Sequence, residues 1–139
     1  MTITLSNDAR QFIARFEEIS DVSGVDCLVT ESRLVIVVPA GRMGEAIGPG
    51  GRNVDRLEAE TGRSVRLVEG ADDAEAFVAN ALAPAAVYNV TISHNDDTVA
   101  YAEVAADDRG VAIGSSGRRI EDTRTLADRH FGIDDVQLL

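Results

Sequence analysis

Two segments of this chain carry the same pair of glycines with arginine directly behind it. Residues 48–51 read Gly-Pro-Gly-Gly and precede Arg52, and residues 114–117 read Gly-Ser-Ser-Gly and precede Arg118 and Arg119. Small residues let a phosphate group approach the backbone closely. The free N–H groups at the start of a following helix point at the phosphate oxygens. Guanidinium groups add forked hydrogen bonds to the phosphate. Both segments are therefore predicted to hold phosphate groups, as in a sugar-phosphate backbone.

The two segments are copies of one longer pattern. They lie 66 residues apart, each is preceded by Ala-Ile, and each is followed at the third position by an apolar residue, Val54 or Ile120. Internal repetition of this kind indicates that one structural unit occurs twice. We therefore predict two domains, 1–70 and 71–139, with the boundary at residues 69–71.

Hydrophobic periodicity predicts the same order of elements in both halves: helix, strand, strand, short helix, helix, strand. The first half should have a helix capped near Ser6, strands over 25–30, 34–38 and 64–68, and helices over 41–47 and 53–60, the last one ended by Gly62.

The second half should begin with a helix capped at residues 72–73 and end with a longer helix, reaching about His130, and a strand over 135–138. Tyr88, Val90 and Ile92 alternate with polar residues, which predicts a half-buried strand with these three side chains on its apolar face.

Charge is unevenly distributed. The chain has 24 acidic residues against 13 basic ones, a net charge of −11, and every basic residue is arginine. Such a composition is what we expect of a protein that works in concentrated salt. Residues 42–56 hold three arginines against two carboxylates and 109–124 hold four against two, whereas 94–108 hold five carboxylates and no arginine. Positive charge near the two glycine segments favours an anionic partner.

The sequence predicts neither a membrane protein nor an enzyme. Apolar runs are too short for a membrane span, and the start of the chain lacks the features of a signal peptide, so we expect a cytoplasmic protein with no membrane partner. His94 and His130 have no further ligands at metal spacing, and the glycine loops lack nucleophile-elbow and P-loop endings. Cys27, the single cysteine, is predicted to be buried and unreactive. We expect no catalysis, no metal and no cofactor.

Residues 46–54 with Gly62, 112–120 and 130–136 give the chain a resemblance to a known family. Each half resembles a type II KH domain, and the tandem resembles the archaeal NusA-like transcription termination/antitermination factors. The resemblance implies an α+β fold in which each domain is a three-stranded sheet with helices on one face. It also implies binding of single-stranded RNA, about four nucleotides per loop, and association with RNA polymerase. We expect the chain to act as a monomer.

The residues predicted to bind RNA are the two loops, the arginines behind them and the apolar residues beside them: Ile47, Gly48, Pro49, Gly50, Gly51, Arg52, Asn53, Val54, Ile113, Gly114, Ser115, Ser116, Gly117, Arg118, Arg119 and Ile120. A lysine is usual inside such loops and is absent from both. Pro49 also removes one N–H donor, so we expect the first loop to bind more weakly than the second.

Three alternatives stay open at this point. The first loop could be a degenerate copy kept for folding. The whole tandem could instead be an interaction module that docks on polymerase or ribosome through its acidic faces, with weak RNA contact. It could also serve in ribosome assembly, where similar domains occur.

Overall fold

The computed structural model describes residues 3–139, so Met1 and Thr2 of the predicted first domain lie outside the described residues. The chain divides into two compact units, one ending at Gly70 and the other beginning at Ala71. We call them the first and second unit. Within residues 3–139, no helix combines the length and apolar character needed to cross a membrane.

The first unit has the predicted order of elements: α1 (Asn7–Ser20), β1 (Asp26–Val29), β2 (Arg33–Val38), α2 (Met43–Ile47), α3 (Arg52–Thr61) and β3 (Ser64–Glu69). The Ser6 side chain accepts a hydrogen bond from the Ala9 N–H at 3.1 Å and caps α1. Gly62 ends α3 in the left-handed conformation. The sheet order is β1-β2-β3, with β2 antiparallel to β1 and parallel to β3.

Three helices of the first unit pack on one face of its sheet. The core of this face contains buried apolar residues from α1, β2, α2 and α3, among them Phe16, Ile36, Ala46 and Leu57. Ala46 lies in the short α2 and Leu57 in α3, so burying them fixes both helices that flank the first glycine loop. Burial of apolar side chains therefore sets the position of the loop.

The second unit repeats the first: α4 (Ala74–Leu82), β4 (Val87–His94), β5 (Thr98–Val104), α5 (Arg109–Ile113), α6 (Arg118–Phe131) and β6 (Asp135–Leu138). Asp73 caps α4 by accepting the Ala76 N–H at 2.9 Å. The sheet order is β4-β5-β6, again antiparallel and then parallel. At 14 residues, α6 is four residues longer than the 10-residue α3, as predicted.

The prediction for Tyr88 is wrong. The register of β4 against β5 shifts between Val87 and Asn89, which is a β-bulge. A bulge inserts one residue and changes which face the side chains before it occupy. Val87, together with Val90 and Ile92, packs against the core of the second unit, whereas the Tyr88 side chain is 71% exposed.

The core of the second unit fixes the helices around the second loop. Ala112 of α5 and Leu126 and Ala127 of α6 are fully buried. Thr123 of α6 donates its hydroxyl to the Arg119 carbonyl at 2.8 Å and lies within 3.2 Å of the Ala81 carbonyl, so this buried polar group is satisfied.

Candidate nucleic-acid interface

The two glycine loops have nearly the same backbone conformation. Gly48 has φ 78° and ψ 167°, and Gly114 has φ 80° and ψ 172°. This region of φ/ψ space is almost restricted to glycine. Ideal Cβ atoms built at these positions would lie 2.7 Å from Asn53 Nδ2 and 2.8 Å from Arg119 Cβ. The first glycine of each loop is therefore required both for its backbone angles and for the space that its missing side chain leaves.

The remaining loop positions also match. The third position has φ 62° at Gly50 and φ 56° at Ser116. The fourth, Gly51 or Gly117, is left-handed as well and precedes α3 or α6. Because serine rarely adopts positive φ, Ser116 holds a conformation that costs free energy and that its counterpart Gly50 adopts easily.

The loops differ in their free backbone donors. In the first loop the Gly51 N–H donates to the Gly48 carbonyl at 3.0 Å, and the equivalent hydrogen bond in the second loop is 3.1 Å long. Among the described residues, the N–H groups of Gly50, Ser115 and Ser116 have no protein acceptor. The second loop thus offers two free N–H groups and two hydroxyls, whereas the first offers one N–H because Pro49 has none.

Two arginines at the loop exits are free to reach a ligand. Arg52 and Arg118 occupy the same position, the first residue of α3 and of α6, and both are exposed. Of the 13 arginines in the chain, these two and Arg10 make no side-chain hydrogen bond or ion pair within residues 3–139. Arg42, by contrast, is paired with Glu45 at 2.9 Å.

Arg119 and Asn53 make hydrogen bonds within the protein. Asn53 Nδ2 donates to the Glu45 carbonyl at 3.0 Å, and Arg119 Nη1 donates to the Val111 carbonyl at 2.6 Å. Arg119 Nε is buried without a hydrogen-bond partner in the described part of the chain. These side chains are turned back onto the preceding helix, and the prediction that Arg119 adds hydrogen bonds to phosphate stays a prediction.

The apolar residues beside the loops are unequally accessible. Ile47 and Ile113 are 37% and 41% exposed, so both offer surface next to their loops. Val54 is partly buried. Ile120 is only 6% exposed and belongs to the core of the second unit, so little of its side chain is accessible to a base. Sequence reasoning missed Val111, which is 37% exposed one turn before the second loop.

The Cys27 side chain lies in the core of the first unit. The Cys27 side chain is buried, and this burial, together with the neighbouring Asp26 carboxylate, raises the pKa of the thiol to about 12. Within residues 3–139, no group of three or more histidine, cysteine or carboxylate side chains is arranged to hold a metal ion.

Comparison with known proteins agrees with this architecture. A family model described as KH domain matches residues 8–72, and one described as NusA-like second KH domain matches residues 74–137. The two units are thus tandem KH domains of an α+β fold, as predicted.

Relatives over the whole chain identify the family. A protein of Halobacterium salinarum named "Probable transcription termination protein NusA" is 64% identical, and one of the same name from Halococcus morrhuae is 54% identical, each over 99% of both chains. The crystal structure of APE1850 superposes with a TM-score of 0.83 at 28% identity, covering 97% of this chain and 100% of that one. The chain belongs to the NusA-like family of tandem KH-domain proteins. Its acidic, lysine-free composition is that of a halophilic archaeal protein, in agreement with the sources of these relatives.

Proposed function

We propose that this chain is a single-stranded RNA-binding factor that acts with RNA polymerase in transcription termination or antitermination, and that both glycine loops grip the RNA backbone. The observation that carries the proposal is the pairing of an open backbone loop with an unpaired, exposed arginine at its exit, Arg52 or Arg118, in both units. The KH domains support RNA as the ligand, and the names of the relatives support a role in transcription. One chain carries both loops, which supports action as a monomer.

In concentrated salt the interaction has to be short-ranged. At about 1 M ionic strength the Debye length is about 3 Å, so distant charges contribute little to affinity. Binding would then depend on direct hydrogen bonds from the loop N–H groups, the serine hydroxyls and the two arginines, and on bases covering Ile47 and Ile113. This explains how a chain of net charge −11 can bind a polyanion.

The second loop is the stronger of the two in this proposal. It offers two free N–H groups and two hydroxyls, where the first offers one N–H. Ser116 also keeps a side chain in a conformation that favours glycine. Because its hydroxyl makes no hydrogen bond within residues 3–139, contact with a phosphate oxygen would give that side chain a function.

A titration of short single-stranded RNA against three arginine variants tests the proposal. Arg52→Gln and Arg118→Gln each remove one charge-assisted contact and should weaken binding about ten- to a hundredfold, since a hydrogen bond to a charged group contributes about 1.5–3 kcal/mol. Arg10→Gln is the matched control, because Arg10 is likewise exposed and unpaired and lies outside the loops. Equal affinity of all three variants and the parent would contradict the proposal and favour the alternative of a protein-interaction module with acidic docking faces.

A further inference from the structure

We infer that Arg119 and Asn53 are positioning residues that hold the glycine loops in shape, and that neither contacts RNA directly. The inference rests on the proposed function for its consequence in binding, whereas its structural part stands on the loop alone. It begins from the equivalence of the two residues. Each is the second residue of the helix that follows its loop, and each donates a hydrogen bond to a carbonyl of the helix that precedes it.

The carbonyls that accept these bonds are ones that a helix end leaves unpaired. Glu45 and Val111 lie in the last turns of α2 and α5, where carbonyl groups have no intrahelical partner. Side-chain donors, and cations above all, are favoured at this end of a helix. Each bond therefore ties the end of one helix to the start of the next, across the loop between them.

The first glycine of each loop makes room for this tie. A Cβ at Gly48 would lie 2.7 Å from Asn53 Nδ2, and one at Gly114 would lie 2.8 Å from Arg119 Cβ and 2.9 Å from its backbone nitrogen. The glycine and the positioning residue thus fix the loop conformation together. In the resulting backbone conformation of the loops, the N–H groups of Gly50, Ser115 and Ser116 have no protein acceptor.

The geometry of Arg119 separates this role from direct contact. Its Nε is buried and its Nη1 is bonded at 2.6 Å within the protein. Arg118, one residue earlier, is exposed and unpaired. Two adjacent arginines therefore have different tasks: Arg118 faces the ligand and Arg119 holds the loop.

The internal repeat supplies the test. Arg119→Asn places the first unit's own residue in the second unit, and Arg119→Ala removes the donor altogether. Two readouts are needed: affinity for a short single-stranded RNA over a series of KCl concentrations, and amide exchange of Gly114 and Gly117, whose N–H groups are bonded to the Gly110 and Gly114 carbonyls.

We expect Arg119→Ala to speed exchange of both amides, on the order of tenfold, and to weaken RNA binding by about the same factor, with an unchanged dependence on salt. Arg119→Asn should recover most of the affinity although it lacks the charge. In contrast, Arg118→Gln should leave exchange unchanged and lower the slope of log affinity against log salt by about 0.7, the value for one phosphate contact on a single strand.

The inference is overturned if Arg119→Ala leaves amide exchange unchanged, or if Arg119→Asn binds as weakly as Arg119→Ala with the slope lowered by about 0.7. If the parent protein binds no RNA, the proposed function fails. The exchange measurement then still decides whether Arg119 holds the loop. Thermal melting of each variant identifies any general loss of folding.

Discussion

At the scale of single residues, the glycines around the second loop serve two different purposes. Gly114 has φ 80° and stands against the Arg119 backbone, whereas Gly110 lies in α5, where a Cβ would meet nothing within 4 Å. Their sequence spacing gives no hint of this difference. Both glycines recur in the first half, so repetition alone does not separate the one that the loop requires from the one that it tolerates.

Substituting these glycines by alanine should therefore give opposite results. Gly114→Ala places Cβ 2.8 Å from Arg119 Cβ in a conformation that alanine avoids, and should lower the free energy of unfolding by about 1–3 kcal/mol. Gly110→Ala should cause no loss and up to about 1 kcal/mol of gain, since glycine is unfavourable within a helix. Denaturant unfolding of both variants measures the difference, and similar values for the two would contradict this account of the loop.

Cys27 makes a prediction about alkaline pH. Burial raises the pKa of its thiol from the usual 9.0 to about 12 in the folded protein. The thiol therefore stays protonated to a higher pH in the folded state than in the unfolded state. The contribution of this protonated thiol to the free energy of unfolding is complete below pH 9. It is lost as pH rises from about 9 to 12, by up to about 1.4 kcal/mol per pH unit.

Two measurements check this prediction. Alkylation at pH 8 should be about a thousandfold slower in the native protein than in denaturant, because the thiolate is the reactive form. The Cys27→Ala variant should lose the additional alkaline dependence of stability. A native thiol that reacts as fast as the denatured one would show that Cys27 is accessible and not part of the core.

At the scale of elements, β4 shows where a pattern of alternating residues stops being reliable. Val90 and Ile92 face the core as predicted, but the bulge between Val87 and Asn89 places Val87 against the core in place of Tyr88. Threonine has a high propensity for β-strands, so it suits the backbone at either position. Tyr88→Thr should therefore change the free energy of unfolding by no more than about 0.5 kcal/mol.

Val87→Thr should cost about 1–2 kcal/mol, because it brings a hydroxyl group to a partly buried apolar position. The pair of substitutions is compared by the midpoint of denaturant unfolding. A larger loss of stability from Tyr88→Thr than from Val87→Thr would indicate that the side chains of β4 alternate without interruption, and would contradict the bulge.

Elements that depend on local signals could be predicted from sequence, and contacts across the fold could not. Ser6, Asp73 and Gly62 mark helix ends through hydrogen bonds or backbone angles within a few residues of themselves, so their roles were predictable. The loops were predictable for the same reason. Arg119 differs, because its partner Val111 lies in the preceding helix, on the other side of the loop. An arginine in sequence does not show whether it faces solvent or its own backbone.

At the scale of the whole molecule, duplication and charge act together. Two linked binding modules can raise affinity by about 10²–10⁴ over one when both reach the same strand. This matters most where salt weakens each electrostatic contact. The net charge of −11 favours a hydrated surface, but in concentrated salt it acts only over a few ångströms. Under the proposed function, selectivity then comes from short-range contacts at the loops, so their detailed geometry matters for binding.

The most direct test of the central claim replaces the two middle residues of each loop. Positions 50 and 116 have positive φ, and aspartate and asparagine are among the few residues with a side chain that adopt it readily. Both pairs of substitutions should therefore leave the fold intact and differ only in charge. The measurement is the affinity for single-stranded RNA of the Ser115→Asp/Ser116→Asp variant beside the Ser115→Asn/Ser116→Asn variant, with the corresponding pairs at Pro49 and Gly50. We predict that aspartate in the second loop abolishes binding while asparagine preserves most of it, with a smaller difference in the first loop. RNA affinity that is the same for the aspartate variants and the parent, with unchanged circular dichroism, would contradict the claim that these loops hold the RNA backbone.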